Sequence, residues 1–289
     1  MKKRKDLPKA IIFDIDGTLL DVRPSFYSTI IKASEIWWKL IERKVPPFEP
    51  DLTLIEGFKR LPGFNDDWEV AISVILVQKW LLEKGAPLKG QSPKAILHFL
   101  KPHGLRDLER QIGKLLTKDQ KEQIRKTCME IYAGKECEST YGFKPSIWKG
   151  EGLWKKEHPI LNISDLKKHF KIAFYTGRNS QETLLALKLL NFKLSKNYII
   201  TSDDFKKPDP RGLFKLLHEL NTNHAVFVGD SEDDRITVLN YKRLFHYPLI
   251  DFINIRDIIE TGLSSRQIEL PPSELLPGTR LISFLVDQR

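Results

Sequence analysis

The chain of 289 residues is long enough for one large domain or two modest ones, and a hydrophobic content of 41% with 29% charged residues is typical of a globular protein. Two cysteines cannot build a disulfide framework, and no apolar run approaches the length of a membrane span, so we expect a cytoplasmic protein without a membrane segment. The formal net charge is +9, but four positive charges lie in residues 2–5, which favours a solvated basic terminus over a polyanion-binding surface.

The first predicted element is a short strand that ends in two carboxylates. Residues 10–13 form an apolar run typical of buried parallel strands, and Asp14 and Asp16 follow it, with Gly17 and Thr18 next. Residues two apart in an extended chain point to the same side, so both carboxylates share one site. Ligands of open α/β sheets bind beyond the carboxyl ends of the strands, and adjacent carboxylates there repel each other unless a cation lies between them.

From residue 22 to residue 133 the periodicity is mainly helical. Apolar residues from Phe26 to Ile41 recur at helical spacing, which predicts an amphipathic helix over 24–44. Further helices are predicted over 51–60, 68–84, 92–101, 104–116 and 118–133, with Thr117 as the cap of the last one. The segment 134–159 is poor in pattern and is interpreted as a return linker.

The string from Gly63 to Glu69, GFNDDWE, allows two interpretations. In the structural one, Asp66 caps a helix, with Glu69 three residues later as in a capping box. In the functional one, the string is a loop that reaches towards the site and contacts substrate. The sequence favours neither.

From residue 163 onward, strands and helices alternate. Helices are predicted over 163–170, 180–190, 209–221, 232–242 and from about 254, and strands over 171–175, 197–201, 225–229 and 245–250. Such alternation predicts right-handed crossovers and a parallel sheet, which the strand at 10–14 must join. We therefore predict an α/β protein with a Rossmann-like parallel-sheet core (residues 1–21 and 160–263), an inserted, mainly α-helical cap with its return linker (22–159) and an irregular C-terminal tail (264–289).

Three further polar motifs follow in the predicted core. They are Tyr175-Thr176-Gly177-Arg178, Lys207-Pro208-Asp209-Pro210, and residues 226–234, VFVGDSEDD, which contain Asp230 and Asp234. The four motifs in this order resemble those of the haloacid dehalogenase (HAD) superfamily. The helical insertion after the first strand is similar to the cap of its phosphoglycolate-phosphatase-like branch.

The resemblance implies phosphoryl transfer through an aspartyl phosphate. Asp14 is expected to be the nucleophile, and Asp16 to protonate the leaving oxygen and then to activate water. Phosphoryl oxygens are expected to bind to Thr176 and to the backbone amides of Gly177 and Arg178, just ahead of a helix N-terminus.

The resemblance also implies a Mg²⁺ site, because hard oxygen ligands suit this ion. Asp14, the backbone carbonyl of Asp16 and Asp230 are expected to bind the ion, with Asp234 either on the metal's waters or orienting Lys207. Lys207 is expected to supply a fixed positive charge for the phosphoryl group.

The expected activity is Mg²⁺-dependent hydrolysis of a small phosphorylated metabolite, a phosphomonoester, with cap closure excluding bulk water. A phosphomutase of the same superfamily is the first alternative, since it shares these motifs but shields its aspartyl phosphate from water. Dehalogenase activity is disfavoured because those relatives lack the second carboxylate, which Asp16 supplies here. The alternative from another class, a basic nucleic-acid-binding protein or a polynucleotide-end phosphatase, depends on the net charge of +9.

Overall fold

The computed structural model describes residues 8–64, 66–84, 93–261 and 276–287. The chain divides into two compact units. The core unit contains the segments up to Val22 and from Glu157 onward, and the inserted unit runs from Arg23 to Lys156.

The strands lie in the core unit. In chain order they are β1 (Ala10–Phe13), β2 (Leu20–Asp21), β3 (His158–Pro159), β4 (Leu161–Asn162), β5 (Lys171–Tyr175), β6 (Ile199–Ile200), β7 (His224–Gly229), β8 (Leu249–Asn254) and β9 (Leu276–Pro277). Five of them form a parallel sheet in the order β6-β5-β1-β7-β8. β1 is central, and Phe13 is in register with Phe174 on one side and Val228 on the other. The predicted α/β class with a Rossmann-like parallel sheet is confirmed.

Helices are distributed over both units. Those of the inserted unit are α1 (Ser28–Ile36), α2 (Leu52–Lys59), α3 (Asp67–Lys84), α4 (Pro93–Leu100), α5 (Leu105–Ile112), α6 (Lys118–Ala133) and α7 (Cys137–Tyr141). Those of the core unit are α8 (Ser180–Leu189), α9 (Arg211–Glu219), α10 (Glu232–Leu244), α11 (Ile255–Thr261) and α12 (Gly278–Asp287). Among the helices in the described ranges, none combines the length and the apolar character needed to cross a bilayer.

Helices cover both faces of the parallel sheet. Because successive side chains of a strand point to opposite faces, Ile11 and Phe13 pack into one buried cluster, while Ala10 and Ile12 pack into another. Because β1 is buried on both faces of the sheet, all of its residues are apolar. Polar residues are therefore found only where the strand ends.

The chain after residue 264 is not an irregular tail throughout, as the sequence interpretation had it. Residues 276–277 form β9, which pairs in parallel with β4, and α12 follows directly. Leu281 and Leu285 of α12 are buried in the cluster that contains Ile11 and Phe13. The rest of the predicted tail, residues 264–275, lies outside the described residues.

Two predicted boundaries in the core unit were wrong. The helix predicted over 163–170 is a single 3₁₀ turn, Asp165–Lys168, preceded by β4. The strand predicted over 245–250 lies later, as β8 from Leu249 to Asn254. In both cases the spacing of apolar residues identified buried positions correctly, but it did not determine whether the backbone is helical or extended.

The inserted unit is helical, as its periodicity indicates. The helix predicted over 24–44 is α-helical only in α1, with π-helical turns at Arg23–Tyr27 and Trp37–Glu42. Thr117 caps α6 through a reciprocal capping box with Gln120, as predicted for Thr117.

The last four residues of the GFNDDWE string, 66–69, contain the cap and the first residues of α3. Asp66 Oδ1 accepts a hydrogen bond from the Trp68 amide at 2.8 Å, and Asp66 Oδ2 forms an ion pair with Arg125 at 3.1 Å. Asp67 forms an ion pair with Lys59 at 3.1 Å. These contacts bear out the capping interpretation of Asp66, whereas the interpretation as a substrate-contacting loop is not tested.

The predicted return linker contains ordered elements. α7 lies within it, and the buried carboxylate of Glu130 accepts hydrogen bonds from the backbone amides of Ser146, Ile147 and Trp148 at 2.8, 2.6 and 3.0 Å. A carboxylate that accepts several amide hydrogen bonds organises a loop much as an N-cap organises a helix end.

The segments that leave and re-enter the core unit lie side by side. β2 and β3 pair antiparallel, with Leu20 opposite Pro159 and Asp21 opposite His158. The backbone amide of Ile160 continues this pairing through a 2.8 Å hydrogen bond to the carbonyl of Leu19.

Candidate active site

The four motifs meet at one edge of the parallel sheet. Asp14 follows β1, Thr176 follows β5, and Asp230 follows β7. The amide of Asp14 donates to the Val228 carbonyl at 2.9 Å, so the extended chain continues past the end of β1 and carries the carboxylate to this edge. Carboxyl ends of parallel strands are where open α/β sheets bind ligands.

Lys207 lies between two buried carboxylates. Its Nζ is 2.7 Å from Asp14 Oδ1 and 2.6 Å from Asp234 Oδ1. The exposed fractions of the three side chains are 9%, 7% and 0% for Lys207, Asp14 and Asp234. The interaction is therefore little screened by water, and the ammonium group is fixed beside the predicted nucleophile.

The Asp234 carboxylate that pairs with Lys207 is itself fixed by hydrogen bonds from Ser231. Its Oδ2 accepts hydrogen bonds from the Ser231 amide at 3.1 Å and from the Ser231 hydroxyl at 2.7 Å, which closes a capping box at the start of α10. Gly229 makes room for it, because a Cβ there would lie 2.5 Å from Asp234 Oδ2. Since both oxygens of Asp234 have partners, the geometry favours the second of its two predicted roles, which is to orient Lys207.

Burial and charge crowding shift the pKa values in this cluster. Burial raises the pKa of Asp14 well above its usual range, with Lys207 opposing and neighbouring aspartates adding to the effect. Burial and the charge of Asp234 raise the pKa of Asp230 to about 7. Burial lowers the pKa of Lys207, but the carboxylates of Asp14 and Asp234 outweigh it and raise the pKa above the usual value.

The cluster offers carboxylate oxygens of the kind that a hard divalent cation prefers. Asp14, Asp230 and Asp234 each have a carboxylate oxygen within 4.8 Å of the others. Their mutual repulsion indicates that added positive charge would be stabilising here, and all-oxygen ligation suits Mg²⁺. Gly17 lets the Asp230 carboxylate lie close to the backbone that follows Asp16. It has a φ of +70°, and a Cβ at this position would lie 2.3 Å from Asp230 Oδ2.

Asp16 faces a different partner. Arg178 Nε donates to Asp16 Oδ1 at 2.6 Å, and the same guanidinium donates through Nη2 to Glu157 Oε2 at 2.8 Å. The amide of Arg178, which the sequence analysis assigned to phosphoryl oxygens, donates to Thr176 Oγ1 at 3.2 Å. Substrate binding by Thr176, Gly177 and Arg178 stays a prediction.

Glu157 was not identified from the sequence. It lies at the end of the pattern-poor segment 134–159, just before β3, and has no neighbouring motif. Only the fold brings its carboxylate to Arg178, so no local signal could have revealed it.

A parallel sheet with an acidic cluster and a buried lysine at its carboxyl edge defines a class of α/β enzyme that handles charged ligands. The chain belongs to the haloacid dehalogenase-like hydrolase family. The family model matches residues 92–241, which is slightly more than half of the chain. The predicted superfamily is thereby confirmed, as is the prediction of a hydrolase. The match covers part of the inserted unit and the last three motifs, whereas the first motif, with Asp14 and Asp16, lies before it.

Solved structures agree with this assignment. Phosphatase Tt82 from Thermococcus thioreducens is 26% identical, with a TM-score of 0.65 over 84% of this chain and 91% of that one. An X-ray structure of a structural-genomics target is 15% identical, with a TM-score of 0.57 over 85% of this chain and 89% of the other, and shows the fold alone. No curated protein matches the chain.

Proposed function

We propose that this chain is a Mg²⁺-dependent phosphatase that hydrolyses a small phosphorylated metabolite in the cytoplasm. The observation that carries the proposal is the buried Asp14 carboxylate held 2.7 Å from Lys207 at the carboxyl edge of the sheet. A nucleophile beside a fixed cation is what phosphoryl transfer needs, since the reaction consists mainly of positioning and charge stabilisation. The similarity to phosphatase Tt82 supports the same reaction class.

The proposed reaction has two displacements at phosphorus. In the first, a carboxylate oxygen of Asp14 bonds to phosphorus while the bond to the ester oxygen breaks, and Asp16 gives its proton to that leaving oxygen. In the second, a water oxygen bonds to phosphorus and its proton passes to Asp16. The bond from Asp14 to phosphorus then breaks, which releases phosphate and restores both aspartates.

The remaining residues of the cluster serve this chemistry by charge and orientation. Lys207 offers its ammonium to the phosphoryl oxygens beside Asp14, and Asp234 keeps it there. Mg²⁺ would be held by Asp14, Asp230 and the Asp16 backbone carbonyl, and when bound it would neutralise charge on the transferring phosphoryl group. A small metabolite is favoured over a polynucleotide because the formal net charge of +9 includes four positive charges in residues 2–5, which leaves a modest excess over the rest of the chain.

The proposal is tested by phosphate release from a panel of phosphorylated metabolites, with Mg²⁺ or with EDTA. Asp14→Asn should remove the activity while the chain still folds, because Lys207 keeps its ion pair with Asp234. Asp165→Asn is the matched control, because Asp165 is an exposed aspartate of the core unit that forms a solvent-exposed ion pair with Lys168. Activity that survives Asp14→Asn would refute the mechanism.

The same assay distinguishes hydrolysis from a mutase reaction. A mutase would move the phosphoryl group to another hydroxyl of the same sugar and release little inorganic phosphate. Following both inorganic phosphate and the phosphorus-31 spectrum of the substrate separates the two outcomes.

A further inference from the structure

A buried arginine joins the predicted acid–base residue to a second carboxylate. The Arg178 side chain is 1% exposed, the Asp16 side chain is 28% exposed, and the Glu157 side chain is 0% exposed. The Arg178 guanidinium is 2.6 Å from Asp16 Oδ1 and 2.8 Å from Glu157 Oε2. The three groups therefore form a chain that runs from the partly exposed site to the interior of the core unit.

Stability alone is a poor explanation for a fully buried glutamate. Removing a carboxylate from water is costly, and a buried ion pair often contributes no more stability than apolar residues of the same volume. What such a pair does supply is a fixed geometry, because a guanidinium is planar and its donors point in set directions. Glu157 fixes the orientation of the Arg178 guanidinium, and the guanidinium in turn fixes the orientation of the Asp16 carboxylate.

We infer that Glu157 is a positioning residue for the acid–base chemistry of Asp16, acting through Arg178. The inference rests on the function proposed above. The 2.6 Å contact with Arg178 uses Asp16 Oδ1. On this inference, proton transfer with the leaving group and with water is assigned to the other oxygen, Oδ2. Without Glu157 the guanidinium would lose the carboxylate that lies 2.8 Å from its Nη2, and Asp16 would sample orientations that do not reach the leaving oxygen.

The role of a proton donor can be separated from a structural role by varying the leaving group. An ester of p-nitrophenol leaves readily without a proton, whereas an alkyl phosphate depends on protonation of its leaving oxygen. A residue that positions the donor should matter for the second substrate and hardly for the first. A residue that merely supports the fold should affect both substrates equally.

The experiment measures kcat/KM of the full chain for p-nitrophenyl phosphate and for the best alkyl phosphate of the panel. For Glu157→Gln we expect a loss of about ten- to a hundredfold with the alkyl phosphate, part of the hundredfold or more that general acid catalysis supplies, and less than about threefold with p-nitrophenyl phosphate. Asp16→Asn should give the same selectivity with a larger loss. Glu219→Gln, at an exposed glutamate of α9, should change neither value.

Because Glu157→Gln alters a buried charge, Arg178→Lys is measured in parallel. Lysine retains a cation beside Glu157 but lacks the planar fork, so the same dependence on the leaving group is expected if the inference is right. Equal losses for the two substrates, or no loss in either variant, would overturn the positioning role. An inactive wild type, or an active Asp14→Asn, would instead overturn the proposed phosphatase itself, so the two failures are distinguishable.

Discussion

Replacing Lys207 by methionine tests whether the buried ion cluster has the energetics that its geometry indicates. Methionine keeps most of the apolar volume but leaves Asp14 and Asp234, 7% and 0% exposed, without the ammonium that lies 2.7 and 2.6 Å from them. Removing one partner of a buried ion pair typically costs about 3–5 kcal/mol, because the other charge stays in the interior. We expect a loss of that size in the core unit, together with loss of activity.

A second substitution should restore part of the lost stability. Asp234→Asn removes one of the two uncompensated charges, so the cost of the double variant should be smaller than the sum of the single costs. Residues that share one ion-pair network usually couple by about 0.5–3 kcal/mol. Activity should not return, since the ammonium group beside Asp14 is still missing.

The assay must report on the core unit alone. All six tryptophans lie between residues 37 and 154, so tryptophan fluorescence follows the inserted unit. Native-state hydrogen exchange, read by mass spectrometry on peptides that contain β1 and β7, gives the opening free energy where the cluster lies. EDTA is present throughout, because a cation that binds only the folded state would change the apparent stability.

Lys215→Met, at an exposed lysine of α9, is the control for loss of a lysine as such. It should change the exchange of these peptides by less than about 0.5 kcal/mol. If Lys207→Met behaves like this control, the buried ion cluster does not stabilise the core unit as its geometry indicates. Simple addition of the costs of Lys207→Met and Asp234→Asn would contradict the expected coupling within the cluster.

Three further predictions concern other parts of the molecule. Gly17→Ala should weaken Mg²⁺ binding by at least about tenfold in calorimetry, because the new Cβ would collide with the Asp230 carboxylate and the residue would keep a strained positive φ; unchanged affinity would contradict the placement of Asp230. Glu130→Gln should destabilise the inserted unit by about 2–4 kcal/mol in urea unfolding followed by fluorescence, since it loses charge-assisted bonds from three backbone amides, whereas Glu138→Gln, at an exposed glutamate of α7, should not. Burial raises the pKa of Cys137 to about 11 and that of Cys128 also, so neither thiol should react with Ellman's reagent at neutral pH until the protein unfolds; rapid reaction of the native protein would show that these side chains are accessible.

The sequence was most informative where a local pattern determines both burial and chemistry. The apolar run before Asp14 predicts a central strand, and a strand of a parallel sheet necessarily carries its terminal carboxylates to the ligand-binding edge. The same reasoning applies to Thr176 and Asp230, which follow β5 and β7. Their proximity in the structure follows from topology rather than from any contact visible in the chain.

The sequence was least informative where packing between distant segments decides the conformation. Leu281 and Leu285 have helical spacing, but the prolines before them favoured an irregular tail over a helix that packs on the core. β8 was misplaced because Asp251 interrupts its apolar pattern. Asp251 is accommodated at that edge strand by His224 and Lys242, both at 3.2 Å. Glu157 was not identified from the sequence because its partner, Arg178, lies in another segment of the chain.

The pairing of β2 with β3 makes the inserted unit a replaceable module. Asp21 and His158 are register partners, so the polypeptide between them begins and ends at neighbouring points and occupies the position of a hairpin loop. Two residues are enough to close an antiparallel hairpin, and long insertions at such a loop cost little chain entropy. A single genetic event at this junction could add, remove or exchange the whole unit, and the core sheet with its acidic edge would keep its register.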